Sequence, residues 1–258
     1  YREASVLARL DHPNLPKVSD FFSEADRDYL VMDFVPGEDL KSLMDSARKK
    51  SQFLPAPEVM GWAGQIADAL EYLHSQDPPV VHRDIKPSNL KLTPNRLIKL
   101  VDFGLVKQTA PDEITVTVIQ GRGTATYTPL EQYGGDTGHT DRRSDIYAFG
   151  ATLYHLLTNQ PPAEAKQRFL QADALERPRL INPQINSSVE AAILWAMALH
   201  PDDRPPHIDA FRQALFKGTF PATSPAATLA GISLGRADQV LAAAGALLLL
   251  IALVASVR

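Results

Sequence analysis

The chain has 258 residues, a formal net charge of -4 and no cysteine. Its length suits one domain of ordinary size with an appendage. The weakly acidic balance gives no basic footprint for nucleic acid, so we expect no nucleic-acid partner. Without cysteine the chain can form neither disulfides nor thiolate metal sites.

Two strands are predicted near the start, at about 17–22 and 29–34, and the second ends at a Pro-Gly turn. Residues 29–37 read Tyr-Leu-Val-Met-Asp-Phe-Val-Pro-Gly. A helix is predicted at 57–76, where apolar residues recur at helical spacing. Trp62 lies in this apolar stripe, so we interpret it as a packing residue rather than a binding residue.

The most informative residues follow this helix. Residues 82–89 read His-Arg-Asp-Ile-Lys-Pro-Ser-Asn, and residues 102–104 read Asp-Phe-Gly. Between them the sequence predicts two short strands joined by a tight turn. Such a hairpin would bring Asn89 and Asp102 to the same edge of a site. The alternative is a surface hairpin with unrelated acidic residues.

These side chains together suit phosphoryl transfer. The reaction needs a carboxylate that accepts the proton of the attacking hydroxyl, and Asp84 is our candidate for this base. Lys86 would place a cation beside the migrating phosphate. Asn89 and Asp102 offer the oxygen ligands that Mg²⁺ prefers. The sequence therefore predicts catalytic roles for Asp84, Lys86 and Asn89, and metal binding by Asn89 and Asp102.

Residues 123–131 read Gly-Thr-Ala-Thr-Tyr-Thr-Pro-Leu-Glu. With this segment and the two strings before it, the chain resembles bacterial eukaryotic-like serine/threonine protein kinases over roughly residues 1–216. The resemblance implies an α+β, protein-kinase-like fold, consisting mainly of the α-helical large lobe with a remnant of the small-lobe sheet. It also implies ATP and Mg²⁺ as cofactors.

The start of the chain falls inside the third helix of this family. By the resemblance, Glu3 takes the position that pairs with the ATP-binding lysine, and neither that lysine nor the glycine-rich loop is in the sequence. We therefore expect a fragment that lacks the N-terminal part of the small lobe and is inactive alone.

The resemblance also implies an adenine site at the end of the second strand. Met32 would be the gatekeeper beside the adenine, and the backbone from Asp33 to Val35 would offer it hydrogen bonds. Asp102 would complete the nucleotide site through the metal. Lys86, two residues after Asp84, marks serine/threonine rather than tyrosine specificity in this family.

Structural and regulatory roles follow from the same resemblance. Thr124 would help to shape the acceptor site, and Arg83 would dock a phosphorylated activation segment. Glu131 would pair with Arg204; the alternative is two unrelated exposed charges. Asp145 would accept hydrogen bonds from the backbone of the loop at 82–89, although a first-turn carboxylate also complements a helix dipole.

After Lys217 the composition changes to a linker rich in Gly, Pro, Thr, Ser and Ala. Residues 240–257 carry no charge, and 18 residues of helix span roughly 27 Å, enough to cross a bilayer. A buried helix is the alternative. Ala242, Gly245 and Ala246 place small residues where two such helices could approach, so a homodimer is possible.

The expected organisation is a small-lobe remnant at 1–35, a large lobe at 36–216, a linker at 217–238 and a transmembrane helix at 239–257. Because ATP is cytosolic, we expect a single-pass cell-membrane protein with the kinase lobe in the cytoplasm. The predicted function is phosphorylation of protein Ser/Thr hydroxyls in membrane-anchored signalling. A pseudokinase or scaffold that binds partners without phosphotransfer is the alternative, and a small-molecule kinase is disfavoured by the segment 123–131.

Overall fold

The computed structural model describes residues 9–24, 27–102, 125–133 and 140–221. Glu3, Thr124, the predicted linker beyond residue 221 and the predicted transmembrane helix lie outside these ranges. Within them, no helix combines the length and apolarity that a bilayer crossing requires.

Strands β1 (Val18–Glu24) and β2 (Arg27–Met32) form an antiparallel pair. The register runs from Val18 opposite Met32 to Glu24 opposite Arg27, with an irregularity after Val18. Both strands were predicted from their apolar, β-prone composition, and the structure places them within about two residues of the expected bounds.

A second sheet has the order β3-β4-β5, formed by Glu38–Asp39, Leu90–Leu92 and Ile98–Leu100, and all its pairs are antiparallel. The hairpin β4–β5 confirms the sequence prediction. Gly37 precedes β3 with a φ of +108°, and a Cβ atom there would collide with the carbonyl oxygen of Leu92. Only glycine suits this close backbone approach.

The helices form the larger part of the molecule. In chain order they are α1 (Leu40–Lys49), α2 (Ala56–His74), α3 (Arg142–Thr158), α4 (Ala165–Leu170), α5 (Pro178–Ile181), α6 (Ser187–Ala196) and α7 (Ile208–Lys217). Short 3-10 turns lie at Pro87–Asn89, Leu130–Tyr133 and Pro201–Asp203. Trp62 of α2 is buried in the core, as the apolar stripe predicted.

Helix α3 is the centre of the helical body, since every residue from Ser144 to Thr158 is buried. A helix that is surrounded on all sides lacks the amphipathic stripe of a surface helix. Phe149 of α3 meets Phe211 of α7 edge to face, with ring centroids 5.3 Å apart. Gly150 lies against α6, where a Cβ atom would come within 2.8 Å of Ala196 Cβ.

The segment before β1 is fastened to the helical body by Asn14, which is buried. Its side-chain amide donates to the Ile98 carbonyl at 2.8 Å and to Gln65 Oε1 at 3.1 Å. Its own carbonyl accepts from the Leu100 amide at 2.8 Å. One polar side chain thus connects this segment to both α2 and β5.

Candidate active site

Asp84 lies in the loop between α2 and β4, and two neighbouring side chains hold its carboxylate. Lys86 Nζ donates to both carboxylate oxygens, at 3.0 and 2.8 Å. Asn89 Nδ2 donates to Asp84 Oδ2 and to the Asp84 carbonyl, both at 2.9 Å. The Asp84 side chain is 27% exposed, so its carboxylate is fixed in direction and still open to a reactant.

Asn89 and Asp102 come close together because β4 and β5 pair. The Val101 amide donates to the Asn89 carbonyl at 2.9 Å, and this bond places Asp102 next to the 3-10 turn that carries Asn89. Asp102 has a φ of +60° and is exposed. The left-handed conformation of a non-glycine residue is strained and is common at functional sites.

The donor set of these two residues fits Mg²⁺. The NH₂ group of Asn89 donates to Asp84, so the amide oxygen is the atom of this side chain that can bind a metal. Asp102 supplies an exposed carboxylate. Hard oxygen donors of this kind suit a magnesium ion that keeps further positions for phosphate oxygens and water. In the described residues, no group of three or more His, Cys, Asp or Glu side chains forms a metal cluster.

Asp145 anchors the loop that carries Asp84 from inside the core. Its fully buried carboxylate accepts from the backbone amides of His82 and Arg83, both at 2.8 Å, and from His74 Nε2 at 2.9 Å. Burial works to raise the pKa of Asp145, but the hydrogen bond and charge of His74, with the loop amides, hold it below its usual value. The loop conformation, including Arg83 at a φ of +69°, is thereby fixed.

His74 was not singled out in the sequence. Its partner Asp145 is 71 positions away, so no local spacing connects the two residues. His74 could have been recognised as a buried residue, because it lies four residues after Leu70 on the apolar face of the predicted helix. A histidine in such a stripe is expected to have a buried polar partner.

Glu131 and Arg204 form the ion pair that the resemblance implied. Arg204 Nη1 and Nη2 donate to the two carboxylate oxygens at 2.6 and 3.0 Å, and Ser144 Oγ donates to Glu131 Oε1 at 2.8 Å. Burial works to raise the pKa of Glu131, but the hydrogen bond and charge of Arg204 lower it below its usual value. The alternative of two unrelated exposed charges is therefore wrong.

The segment 125–133 lies against α3 through a second polar pair. Tyr127 Oη is 2.7 Å from His155 Nδ1, and the rings stack with centroids 6.1 Å apart. Burial raises the pKa of Tyr127 and lowers that of His155 to about 4. At neutral pH both groups are uncharged, and the direction of their hydrogen bond depends on which imidazole nitrogen carries the proton. The sequence analysis did not single out His155, and its spacing to Tyr127 gives no local signal.

The proposed adenine site follows β2. The Asp33 amide donates to the Lys17 carbonyl at 2.9 Å, so of its two backbone groups the carbonyl remains for an adenine. Met32 is partly buried against the core, and Val35 is 8% exposed. Thr124 and Glu3, which the sequence analysis also named, lie outside the described residues.

Known proteins resemble this chain in sequence and structure. The protein kinase domain family matches residues 1–216. The tyrosine-protein kinase MasK of Myxococcus xanthus is 34% identical over 224 residues, which are 83% of this chain and 34% of MasK. The serine/threonine-protein kinase PrkC of Bacillus subtilis is 35% identical over 210 residues, 79% of this chain and 31% of PrkC.

The kinase domain of Mycobacterium tuberculosis PknI has a TM-score of 0.64 and 28% identity, and the match covers 84% of this chain and 75% of that domain. The chain spans 34% and 31% of the lengths of MasK and PrkC, about one third of each. The predicted kinase-like fold and the resemblance to bacterial kinases are thus confirmed, and the chain belongs to the protein kinase domain family.

Proposed function

We propose that this chain is the catalytic part of a serine/threonine protein kinase, which transfers the γ-phosphoryl group of Mg-ATP to protein hydroxyls. The observation that carries the proposal is the Asp84 carboxylate, held by Lys86 and Asn89 beside the oxygen donors of Asn89 and Asp102. A merely structural acidic residue needs no such neighbours. A pseudokinase or scaffold would not require them either.

Each side chain has a role in this reaction. Asp84 accepts the proton of the attacking hydroxyl, and its two hydrogen-bond partners aim the carboxylate. Lys86 lies close enough to shift from Asp84 towards the negative charge on the transferred group. Asn89 and Asp102 hold Mg²⁺, which screens the triphosphate when bound. The roles of Glu131, Arg204 and Asp145 are to position the loops around the site.

The proposal also specifies which amino acid receives the phosphate. This choice needs an argument, because both tyrosine kinases and serine/threonine kinases are similar to this chain. MasK is named a tyrosine kinase and PrkC a serine/threonine kinase. Lys86 at the second position after Asp84 favours Ser and Thr. Phosphoamino-acid analysis of a labelled protein acceptor separates the two: phosphotyrosine alone would contradict serine/threonine specificity.

The catalytic role of Asp84 is tested by measuring phosphotransfer with the full-length protein that the gene encodes. We expect Asp84→Asn to lower the turnover at least about a hundredfold, the usual contribution of a general base, while Mg-ATP binding persists. Asp68→Asn, an exposed carboxylate on α2, is the matched control and should be active. A wild-type protein that binds Mg-ATP but transfers no phosphate would favour the pseudokinase.

We also propose that residues 239–257 anchor the kinase in the cell membrane with its catalytic lobe in the cytoplasm. The support is the charge-free aliphatic sequence alone. The tagged protein should remain with membranes after carbonate extraction, and its lobe should resist external protease in intact cells. Release by carbonate would remove the anchor from the proposal.

Pairing of the anchors is a further part of this proposal. Small residues in the first half of the segment, Ala242 and Gly245 among them, allow close helix approach. Pairing would bring one lobe near another and favour phosphorylation in trans. Replacing both by Leu should weaken self-association in a membrane reporter assay, whereas unchanged association would reduce the segment to a plain anchor.

A further inference from the structure

Three consecutive positive side chains end helix α1. Arg48 and Lys49 lie in its last turn, Lys50 caps it, and all three are exposed. Within the residues that the structure describes, none of them forms a salt bridge. By contrast, Lys41 at the other end of the helix is matched by Asp45, whose Oδ2 lies 2.7 Å from Lys41 Nζ. The unmatched charge is thus confined to these three residues, which we call the basic end of α1.

The basic end has a fixed backbone and is attached to the end of α3. The Ser51 amide donates to the Arg48 carbonyl at 2.9 Å, and the Gln52 amide donates to the Ala47 carbonyl at 3.0 Å. Asn159, which caps α3, donates its side-chain amide to the Gln52 carbonyl at 2.8 Å. The three charges therefore project from a defined place on the surface.

The last turn of α3 also contacts the segment that carries Tyr127. His155 lies in this turn, and its Nδ1 is 2.7 Å from Tyr127 Oη. Charges on α1 act on the same histidine: burial lowers the pKa of His155 most, Asp45 raises it, and Lys41 and Arg48 lower it. Helix α1 and the segment around Tyr127 thus flank one turn of α3.

The opposite end of α1 lies beside the proposed catalytic residues. Helix α1 packs against the 3-10 turn at Pro87–Asn89, and its N-cap Asp39 pairs with Lys91 of β4. The ten residues of α1 span about 15 Å, a distance that an extended peptide covers in about five residues. An acceptor whose hydroxyl lies at Asp84 can therefore reach the basic end with side chains up to about five positions away.

We infer that the basic end of α1 binds acidic side chains of the acceptor protein, so that the kinase favours Ser and Thr with Asp or Glu nearby in the sequence. The inference rests on the proposed function, because it takes Asp84 as the place where the acceptor hydroxyl is bound. Exposed charges of this kind choose between partners more than they add affinity. The preference should decline with ionic strength.

An anionic membrane surface carries the same charge as an acidic acceptor. The position of the basic end favours the acceptor, because α1 connects it to the turn beside Asp84, and the segment around Tyr127 lies next to it. A local excess of three positive charges in a chain with a formal net charge of -4 also opposes the overall balance.

The test measures acceptor selection by the full-length protein that the gene encodes. It phosphorylates a peptide library with one central Thr or Ser and randomised flanking positions, and the products are sequenced. We expect wild type to enrich Asp and Glu over Lys and Arg, and the triple variant Arg48→Gln, Lys49→Gln, Lys50→Gln to lose this enrichment. For a peptide with four flanking Asp residues, the triple variant should raise KM about tenfold, the equivalent of three partly screened charge interactions. The kcat should stay the same, as should KM for a peptide with Asn in place of Asp.

Three further variants control for folding and for charge in general. Lys217→Gln removes a cation from the last turn of α7, which also has ten residues, and should change neither selection nor KM. The variant Arg48→Lys, Lys49→Arg, Lys50→Arg keeps all charges and should keep the acidic preference. Lys49→Gln alone should raise KM for the Asp peptide about twofold, so the test does not depend on the triple variant. Thermal unfolding of each variant identifies a folding defect.

The outcomes separate the inference from the proposed function. Equal use of acidic and basic peptides by wild type, or a triple variant with wild-type selection, would overturn the inference and leave phosphotransfer intact. Unchanged selection with lost binding to phosphatidylserine vesicles would assign the basic end to membranes instead. If wild type phosphorylated no library peptide, the proposed function would be refuted, and the inference with it. Acidic enrichment that disappears in the triple variant and at high salt supports acceptor binding by the basic end.

Discussion

Arg204 carries a charge that has no access to water, since its side chain is 0% exposed. It donates to Glu131 and to the carbonyls of Arg143, Ala198 and Leu199. Removing one partner of a buried ion pair leaves the other charge uncompensated. For this reason the pair constrains the region around Glu131 more than a surface ion pair could.

We predict that Arg204→Met lowers the free energy of unfolding by about 3–5 kcal/mol, because Glu131 is then left partly buried without its cation. Urea denaturation measures the loss. Arg96→Met, which removes a surface partner of Glu58, is the control and should cost less than about 1 kcal/mol. Similar losses in the two variants would show that the Glu131–Arg204 pair adds little.

His155 makes the free energy of unfolding depend on pH. The sign of this dependence is opposite to that of a histidine with a carboxylate partner. Burial lowers its pKa from 6.5 to about 4, against the smaller raising effect of Asp45 and with small lowering effects of Lys41 and Arg48. Between these pH values the unfolded chain takes up a proton that the folded chain does not. Stability therefore falls as the pH is lowered through this window.

We predict that wild type loses about 2 kcal/mol between pH 8 and pH 5 from this group, and that His155→Gln abolishes this part of the loss. Chemical denaturation at several pH values measures both. His200→Gln, which removes an exposed histidine, is the control. If His155→Gln and wild type showed parallel pH profiles, the histidine would have to be charged in the folded chain.

For individual residues, two kinds of side-chain contact could be predicted from the sequence: contacts between near neighbours in the chain, and contacts that the family resemblance implied. Asp84, Lys86 and Asn89 meet within five residues, and Glu131–Arg204 followed from the resemblance. The partners of His74 and His155 lie 71 and 28 positions away, on elements whose relative placement depends on the packing of α3. Side-chain spacing alone carries no information about such distant pairs.

At the scale of elements, the passage from the proposed adenine-binding backbone at 33–35 into β3 depends on a single glycine. Gly37 has a φ of +108° and lies against Leu92 of β4. A side chain would meet both the unfavourable backbone conformation and the carbonyl oxygen. The β3–β4 pair would have to separate to accommodate it, and the N-cap of α1 at Asp39 lies at the end of β3.

We predict that Gly37→Ala destabilises the protein by at least about 2 kcal/mol, the combined effect of strain at positive φ and overpacking. Gly61→Ala is the matched control, because a Cβ on Gly61 meets no atom within 4 Å. It should stabilise α2 by about 0.5–1 kcal/mol. Thermal unfolding of the two variants should therefore shift in opposite directions, and a shift of Gly37→Ala in the same direction would disprove the steric account.

The elements themselves were largely predictable, and their packing was not. Apolar periodicity predicted α2, and β-prone runs predicted β1, β2 and the hairpin β4–β5. The sequence also placed Asp145 in the first turn of a helix, and this helix is α3. The short helices α4 and α5 were not predicted, since four to six residues give too little periodicity to recognise.

For the whole molecule, β1 and β2 are attached to the helical body by polar contacts, together with the buried side chains of Leu10, Leu15 and Val18. Asn14 links α2 and β5, and Lys99 Nζ reaches the Leu15 carbonyl at 2.8 Å. The Asp11 amide donates to Tyr72 Oη at 2.9 Å, and the ring of His12 stacks on Tyr72. The loss of one of these contacts should therefore destabilise the β1–β2 sheet more than the helical body.

We predict that Asn14→Ala increases amide exchange in 9–32 at least about tenfold, because the Ile98 carbonyl and Gln65 lose the side-chain amide of Asn14, and a buried partner of this kind is worth about 1–3 kcal/mol. Exchange in α3 and α6 should remain near the wild-type rate. Hydrogen exchange with mass spectrometry resolves both regions. A uniform increase across the chain would show that the two parts unfold together.

The burial of α3 on every side has a thermodynamic consequence for the loop that carries Asp84. Asp145 belongs to this helix and holds the amides of His82 and Arg83, so release of the loop leaves a fully buried carboxylate without two of its donors. Release therefore costs several kcal/mol, more than the opening of a surface loop. Conditions that preserve the fold should accordingly preserve the geometry of Asp84, and gradual inactivation ahead of unfolding is not expected from this loop.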